Sequence, residues 1–432
     1  MIVKLAWKNL WFKPLNTVLS IVLLASSIAI ITVLILLQKQ FEEKFSSNID
    51  GVDLVLGAQG SPMQLILSSV YHIDNPTGNI SYDSAKVWIK HPFVEKAIPL
   101  AFGDNYRGFK IVGTNSDYLD KYKAKIVKGK LFNKNFEIVV GNEVAKKLNL
   151  KIGDKFFGSH GDSSEGEVHD QYSYKISGIA SSTGSVLDNL ILCNIPSVWQ
   201  MHNAHGQEAE NPAHGEEGHV HEEHEHIHTD ACINEHQQNR QEADLTLEEP
   251  NMEITAVLLK FRNKMGIVTW PRIIAQNTKM QAASPAIEVN RIFSLFGVGL
   301  KALEYLAYAI MLISGISIFI ALYNRLKERK YEFALMRING ASRIQLLLLV
   351  VIESLFLALV GFLFGTIFGR IAISFISSSA QDDFKIAFTP LEIVWNKEGI
   401  LLLVTIFVGI MAAFIPAIKA YKLNISKTLA NA

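Results

Sequence analysis

Apolar residues dominate four long stretches of the chain, and between them the pattern is mixed. About 20 mostly apolar residues cross a bilayer core as a helix, and residues 15–37, 296–323, 346–376 and 400–418 meet that length. Lys4, Lys8 and Lys13 precede the first run, as in a secretory leader. Its apolar run is too long for one, and it ends in Leu37-Gln38-Lys39-Gln40 instead of small residues, so it reads as an uncleaved anchor. Upstream, Val3, Leu5, Trp7, Leu10 and Trp11 interleave with Lys4, Lys8 and Asn9, the pattern of an amphipathic helix lying in the membrane interface.

Short segments rich in Lys and Arg stay in the cytoplasm. Three such segments fall on one side of the four spans: the N-terminus, the link between spans two and three (Arg325, Lys327, Arg329, Lys330, Arg337, Arg343) and the tail (Lys419, Lys422, Lys427). The expected topology has both termini in the cytoplasm and the region from about Phe41 to Phe293 outside. The expected fold is a membrane protein of one plus three spans, with an α+β extracytoplasmic domain inserted between spans 1 and 2. Its segments are 1–38 (amphipathic helix and span 1), 39–199 (α+β domain), 200–250 (a flexible insertion), 251–295 (the rest of that domain) and 296–432 (spans 2–4).

The inserted region pairs short β-rich runs with helical ones. Asp53-Leu54-Val55-Leu56, Phe109-Lys110-Ile111-Val112 and Glu137-Ile138-Val139-Val140 read as strands. The last leads through Gly141 into a helix from Asn142 with Val144 and Leu148 on one face. Ser61-Pro62 predicts an N-cap followed by proline at the first helical position, and the loop holding His72 and Asp74 reads as a structural turn.

Residues 200–250 differ abruptly. Nine of the 13 histidines fall there, among them His219, His221, His224, His226, His228 and His236, with Cys232 and many glutamates. Imidazole and thiolate suit zinc and similar divalent metals, and a flexible chain brings several donors together without a preformed cavity. A metal enzyme is not the reading, since catalytic zinc needs a rigid first shell and a shaped pocket, and a flexible polar tract provides neither. Hydrophobic residues make up 49% of the 432, yet net charge is zero, so no global field draws nucleic acid. The two cysteines, Cys193 and Cys232, are too few for a disulfide scaffold, though both fall in the region placed outside, where one bridge could form.

The segment 324–342 turns charge into pattern. Charges fill its first half, Phe333, Ala334, Leu335, Met336 and Ile338 follow, Gly340 can end a helix, and Ser342 can cap span 3. The run Arg329, Glu332, Ala334, Leu335, Arg337, Gly340, Ala341 and Ser342 resembles the coupling segment of FtsX-like or MacB-like ABC permeases. Leu5-Ala6-Trp7-Lys8-Asn9-Leu10 and Pro416-Ala417-Ile418-Lys419-Ala420 resemble that family's two ends, although Asn424-Ile425 stands where an Asp-Pro pair is usual.

The resemblance implies a non-catalytic permease of the inner membrane, pairing as a homodimer or with a second permease. It also implies an ABC ATP-binding subunit, lipid contact and a periplasmic or outer-membrane partner. It requires no cofactor of its own beyond candidate zinc in the histidine tract. No Gly-x-x-x-x-Gly-Lys-Ser/Thr occurs, so ATP would be used only through a partner subunit. Glu304 and Glu353 are carboxylates within spans, expected to face the bundle interior or water. The alternative is a membrane-anchored extracytoplasmic metal sensor or buffer in which the histidine tract is the active part.

Overall fold

The computed structural model describes residues 2–12, 14–159, 172–208, 246–383 and 388–423, without side chains at 2, 202–208 and 380–383. The described residues divide into two compact units, one of residues 1–43 and 293–432 and one of residues 44–292.

The first unit is helical. Helix α1 spans Ile2–Leu10 and α2 Pro14–Ile49. In the last third of the chain come α9 (Pro285–Glu328), α10 (Lys330–Ile338), α11 (Arg343–Asp383) and α12 (Trp395–Tyr421). Four of these, α2, α9, α11 and α12, are long and apolar enough to cross a membrane. All four contain the predicted apolar runs. Two outlast them: α2 has 36 residues and α9 has 44, about 54 and 66 Å at 1.5 Å per residue.

Lipid tails give apolar helices no hydrophobic reason to associate, so close packing must hold them. On α11, Gly361, Gly365 and Gly369 recur every fourth residue. A Cβ at these positions would lie 2.7 Å from Leu24, 2.6 Å from Ile28 and 2.9 Å from Thr32 of α2. Gly409 meets Ala358, and Gly315 meets Val408, at 3.0 and 2.9 Å. At one end of the bundle Gln40 exchanges two hydrogen bonds with the Thr389 backbone (2.8 and 2.7 Å). Nearby, Lys39 pairs with Glu392 at 2.6 Å, and Arg370 donates to both oxygens of Glu398 at 2.8 and 2.9 Å.

The second unit is a twelve-strand α/β domain among the described residues. In chain order it contains β1 (Leu54–Ala58), α3 (Pro62–Ser69), β2 (Ile80–Ser81), α4 (Tyr82–Ile89), β3 (Val94–Tyr106), β4 (Phe109–Gly113), α5 (Asp117–Lys121), β5 (Ile126–Gly129) and β6 (Glu137–Val140). Then follow α6 (Asn142–Lys147), β7 (Lys155–Phe156), β8 (Tyr174–Ala180), a 3-10 turn (Val186–Asn189), β9 (Ile191–Cys193), α7 (Ile195–Glu208), β10 (Glu253–Ile254), β11 (Ala256–Phe261), α8 (Met265–Asn277) and β12 (Met280–Ala283).

The main sheet runs β12-β1-β11-β3-β4-β9-β6-β8-β5, with β7 also on β8, while β10 and β2 form a separate pair. Most pairings are antiparallel; β4 with β9 and β6 with β8 are parallel. Leu54 to Leu56, Ile138 to Val140, Ile191 to Cys193 and Ala256 to Leu259 are buried without alternation. Uninterrupted apolar runs are what a sheet covered on both faces needs. The predicted strands and the helix after Gly141 are all present. The carbonyls of Leu187 and Asp188 would lie 2.3 and 2.5 Å from a Cβ at Gly141, which explains the glycine there. Ser61 caps α3 by accepting from the Gln64 N–H, with Pro62 at its first position. Cys193 is a free thiol buried inside β9, so it offers no exposed sulfur.

Candidate functional site

The segment that resembles a coupling segment is a short helix held at both ends. Arg329 Nε donates to Glu332 at 2.6 Å, placing a carboxylate in the first turn of α10, where the helix dipole favours it. At the other end the Gly340 N–H donates to the Arg337 carbonyl (3.2 Å) and the Ala341 N–H to the Met336 carbonyl (2.9 Å). That is a Schellman stop, and Gly340 takes its left-handed position at φ +93°. Arg337 Nη1 reaches back to the Ala341 carbonyl at 2.6 Å.

Span 3 then starts with a capping box. Ser342 Oγ accepts from the Gln345 N–H (3.2 Å), and Gln345 Oε1 accepts from the Ser342 N–H (2.7 Å). The predicted helix stop and cap are both present, and they leave no slack residue between α10 and α11.

The segment has two faces. Phe333 is buried in the core of the helical unit with Leu326, Leu346 and Leu349, and Ala334 is buried as well. Tyr331, Leu335 and Ile338 recur at the i, i+4, i+7 spacing of one helix stripe, and they are 50%, 39% and 58% exposed. Ile344 at the start of α11 is exposed as well. The sequence pattern grouped the apolar residues of this segment together, whereas the fold splits them into a buried pair and an exposed stripe.

Of the two intramembrane carboxylates, Glu353 lies in the interior as expected and accepts from Asn9 Nδ2 of α1 at 2.7 Å. Glu304 is exposed and accepts from the Tyr308 hydroxyl at 3.0 Å. Asn9 of α1 lies in the run Leu5 to Leu10 and Arg325 of α9 in the charged link, yet nothing in the sequence places either beside Glu353.

The histidine and cysteine positions expected to hold metal, His219, His221, His224, His226, His228, Cys232 and His236, lie outside the described residues. Among the described residues no group of three or more His, Cys, Asp or Glu is placed to hold a metal ion.

His72 in the domain is structural. Its Nε2 is 2.9 Å from the Tyr118 hydroxyl. Burial, with the positive charges of Lys110 and Lys121, pushes its pKa down to about 3, so it stays neutral. Burial also pushes the Lys121 ammonium down to about 7, against the opposing pull of Asp50. Lys121 donates to the Asn48 carbonyl at 2.6 Å and caps the C-terminal turn of α2.

Two family models match the chain. Residues 17–211 match the MacB-like periplasmic core domain, and residues 305–425 match the FtsX-like permease C-terminal region. Among solved structures, the periplasmic region of MacB from Actinobacillus actinomycetemcomitans is similar over 58% of this chain and 97% of its own, at 10% identity and TM-score 0.32. The extracellular domain of the noncanonic ABC-type transporter YknZ from Gram-positive bacteria is similar over 54% of this chain and 99% of its own, at 12% identity and TM-score 0.29. No curated protein matches at a significant level.

Proposed function

The chain belongs to the MacB- and FtsX-like ABC transporter permeases, and we propose that it couples ATP hydrolysis in a separate ATPase subunit to movement of its inserted domain, in export or mechanotransmission. Permeases of this family work with an ABC ATPase, and this chain has no phosphate-binding Gly-x-x-x-x-Gly-Lys-Ser/Thr of its own. One observation carries the reading. Tyr331, Leu335 and Ile338 form an exposed apolar stripe on a helix whose opposite face, buried Phe333 and half-buried Met336, packs in the bundle core.

A helix anchored on one side and apolar on the other suits docking into a groove of a soluble partner. The Schellman stop and capping box support rigid transfer, because a helix with no slack at its end passes a displacement to α11 instead of absorbing it. The basic residues around α10 and at both termini support a cytoplasmic face for this end and an extracytoplasmic one for the domain.

The test uses Leu335→Glu and Ile338→Glu, exposed positions where charge leaves the core intact. With the purified ATPase partner, each change should lower permease-stimulated ATP hydrolysis about tenfold or more, since a charge buried unpaired in an apolar interface costs several kcal/mol. The thermal midpoint of the permease alone should stay within about a degree or two, as for ordinary surface changes. Unchanged stimulation in both variants sinks the docking role of α10.

The density of imidazole in residues 200–250 supports a second reading of the insertion, as a divalent-metal ligand set with zinc-linked regulation of the transporter.

A further inference from the structure

Two buried charges in the helical unit are tied to the end of α1, Glu353 directly and Arg325 through Thr17 of α2. Arg325, in the last turns of α9, is 7% exposed, and its Nη2 donates to Thr17 Oγ1 of α2. Thr17 in turn donates to the Leu10 carbonyl of α1 at 2.7 Å. Glu353 of α11 is 4% exposed and accepts from Asn9 Nδ2, the residue next to Leu10, at 2.7 Å. One turn on from Glu353, Phe356 receives Trp7 of α1 edge-on at a centroid distance of 5.7 Å.

The pairing is incomplete. Arg325 Nε and Nη1 are buried with no hydrogen-bond partner among the described residues, although Arg325 and Glu353 lie within each other's electrostatic reach. A buried guanidinium with unfilled donors is costly, and the carboxylate that would fill them is instead bonded to a neutral amide. Arg325 also stands four residues before Arg329, the residue that ties into the first turn of α10. A shift of α10 therefore reaches Arg325 within about one helical turn.

We propose that Arg325 and Glu353 are positioning residues of a two-state relay in which the end of α1 is the wedge. With α1 seated, Thr17 and Asn9 hold the two charges separately. When α1 withdraws, the empty donors of Arg325 take the Glu353 carboxylate directly, and α9 and α11 close on each other. This rests on the coupling reading above and deepens it. The relay gives α10 a route to both neighbouring spans and to the N-terminal helix.

The experiment uses the full-length permease in lipid nanodiscs. Amide hydrogen exchange over residues 2–12 is followed by mass spectrometry, with unfolding midpoints measured alongside. Asn9→Ala removes one tie of the wedge and should speed exchange in α1 about tenfold while leaving the domain unaffected. Arg325→Gln and Glu353→Gln should each lower the midpoint by leaving one charge buried alone. The double variant, with neither charge, should recover part of that loss, because coupled groups are non-additive. With the ATPase partner present, either single variant should lose most stimulation, and the double should fold yet fail to be stimulated.

Unchanged α1 exchange in Asn9→Ala, or midpoint losses that simply add in the double variant, overturns the relay. If the exchange and non-additivity appear but no ATPase ever responds to the wild-type chain, the wedge stands and the coupling reading falls.

Discussion

At the scale of single residues, the buried polar groups carry the sharpest consequences. His72 sits in the left-handed region (φ +56°), pinned to Tyr118 and kept neutral by burial and two neighbouring lysines. In the unfolded chain it titrates near 6.5. Between that value and about 3 the unfolded state binds the proton and the folded state does not, so stability falls as pH drops through this window. The full loss is on the order of 5 kcal/mol. His72→Asn, which tolerates the same backbone but does not titrate, should cost about 1–2 kcal/mol at pH 7 through the lost contact. It should also flatten the acid limb, as near-UV circular dichroism melts from pH 4 to 8 would record. An equally steep acid limb in the variant would place the titration elsewhere. The sequence marked His72 as a turn residue, and that is where it lies. Its neutrality comes from burial and from Lys110 and Lys121, neither of which is its neighbour in the chain.

Elements show the same division. Span positions follow from composition alone, because a 20-residue apolar run has one way to satisfy its backbone in lipid. How the spans pack was written in the Gly361, Gly365 and Gly369 repeat, whose fourth-residue spacing lays three glycines on one helix stripe. The hydropathy reading passes over it because glycine is nearly neutral on such scales. In the fold this stripe admits α2 so closely that a Cβ at Gly365 would lie 2.8 Å from the Ala25 carbonyl. Gly365→Val should therefore lower stability by about 1–3 kcal/mol, the usual cost of overpacking. Gly297→Val, where nothing lies within 4 Å, should stay within a few tenths. Thermal unfolding in nanodiscs checks the pair, and equal midpoints would mean that α2 and α11 do not pack through the glycines. The α10 stop and cap were legible from Gly340 and Ser342. The split of its apolar residues was not, because burial on one side depends on Leu326, Leu346 and Leu349 from elsewhere.

For the molecule as a whole, two units are built from a chain whose ends and middle alternate between them: 1–43 and 293–432 in one, 44–292 in the other. The buried core of the second draws on Leu54, Ile111, Ile138, Ile191, Val257 and Ile274, residues on both sides of the histidine tract. That core is built from residues on either side, so deletion of residues 209–245 should leave the unfolding midpoint of the domain within about a degree or two. The same deletion should abolish high-affinity zinc uptake, measured by isothermal titration with Zn²⁺ against the intact chain. Equal zinc uptake by both chains would move the metal site out of the tract. If ATPase stimulation survives the deletion, the tract is an accessory and not part of the transmission.

The sequence by itself determined the four spans, the inserted α+β domain, the caps of α3 and α11, the stop of α10 and the family. Each of these is set by residues within one or two turns of one another, or by composition over a bilayer's thickness. Only the tertiary structure decided which face of α10 is open, that Glu353 is held by Asn9 while Glu304 is exposed, and that β4 and β9 run side by side with some 80 residues between them. Those outcomes depend on partners far apart in the chain. Periodicity shows that a residue needs a neighbour, but packing chooses which one it meets.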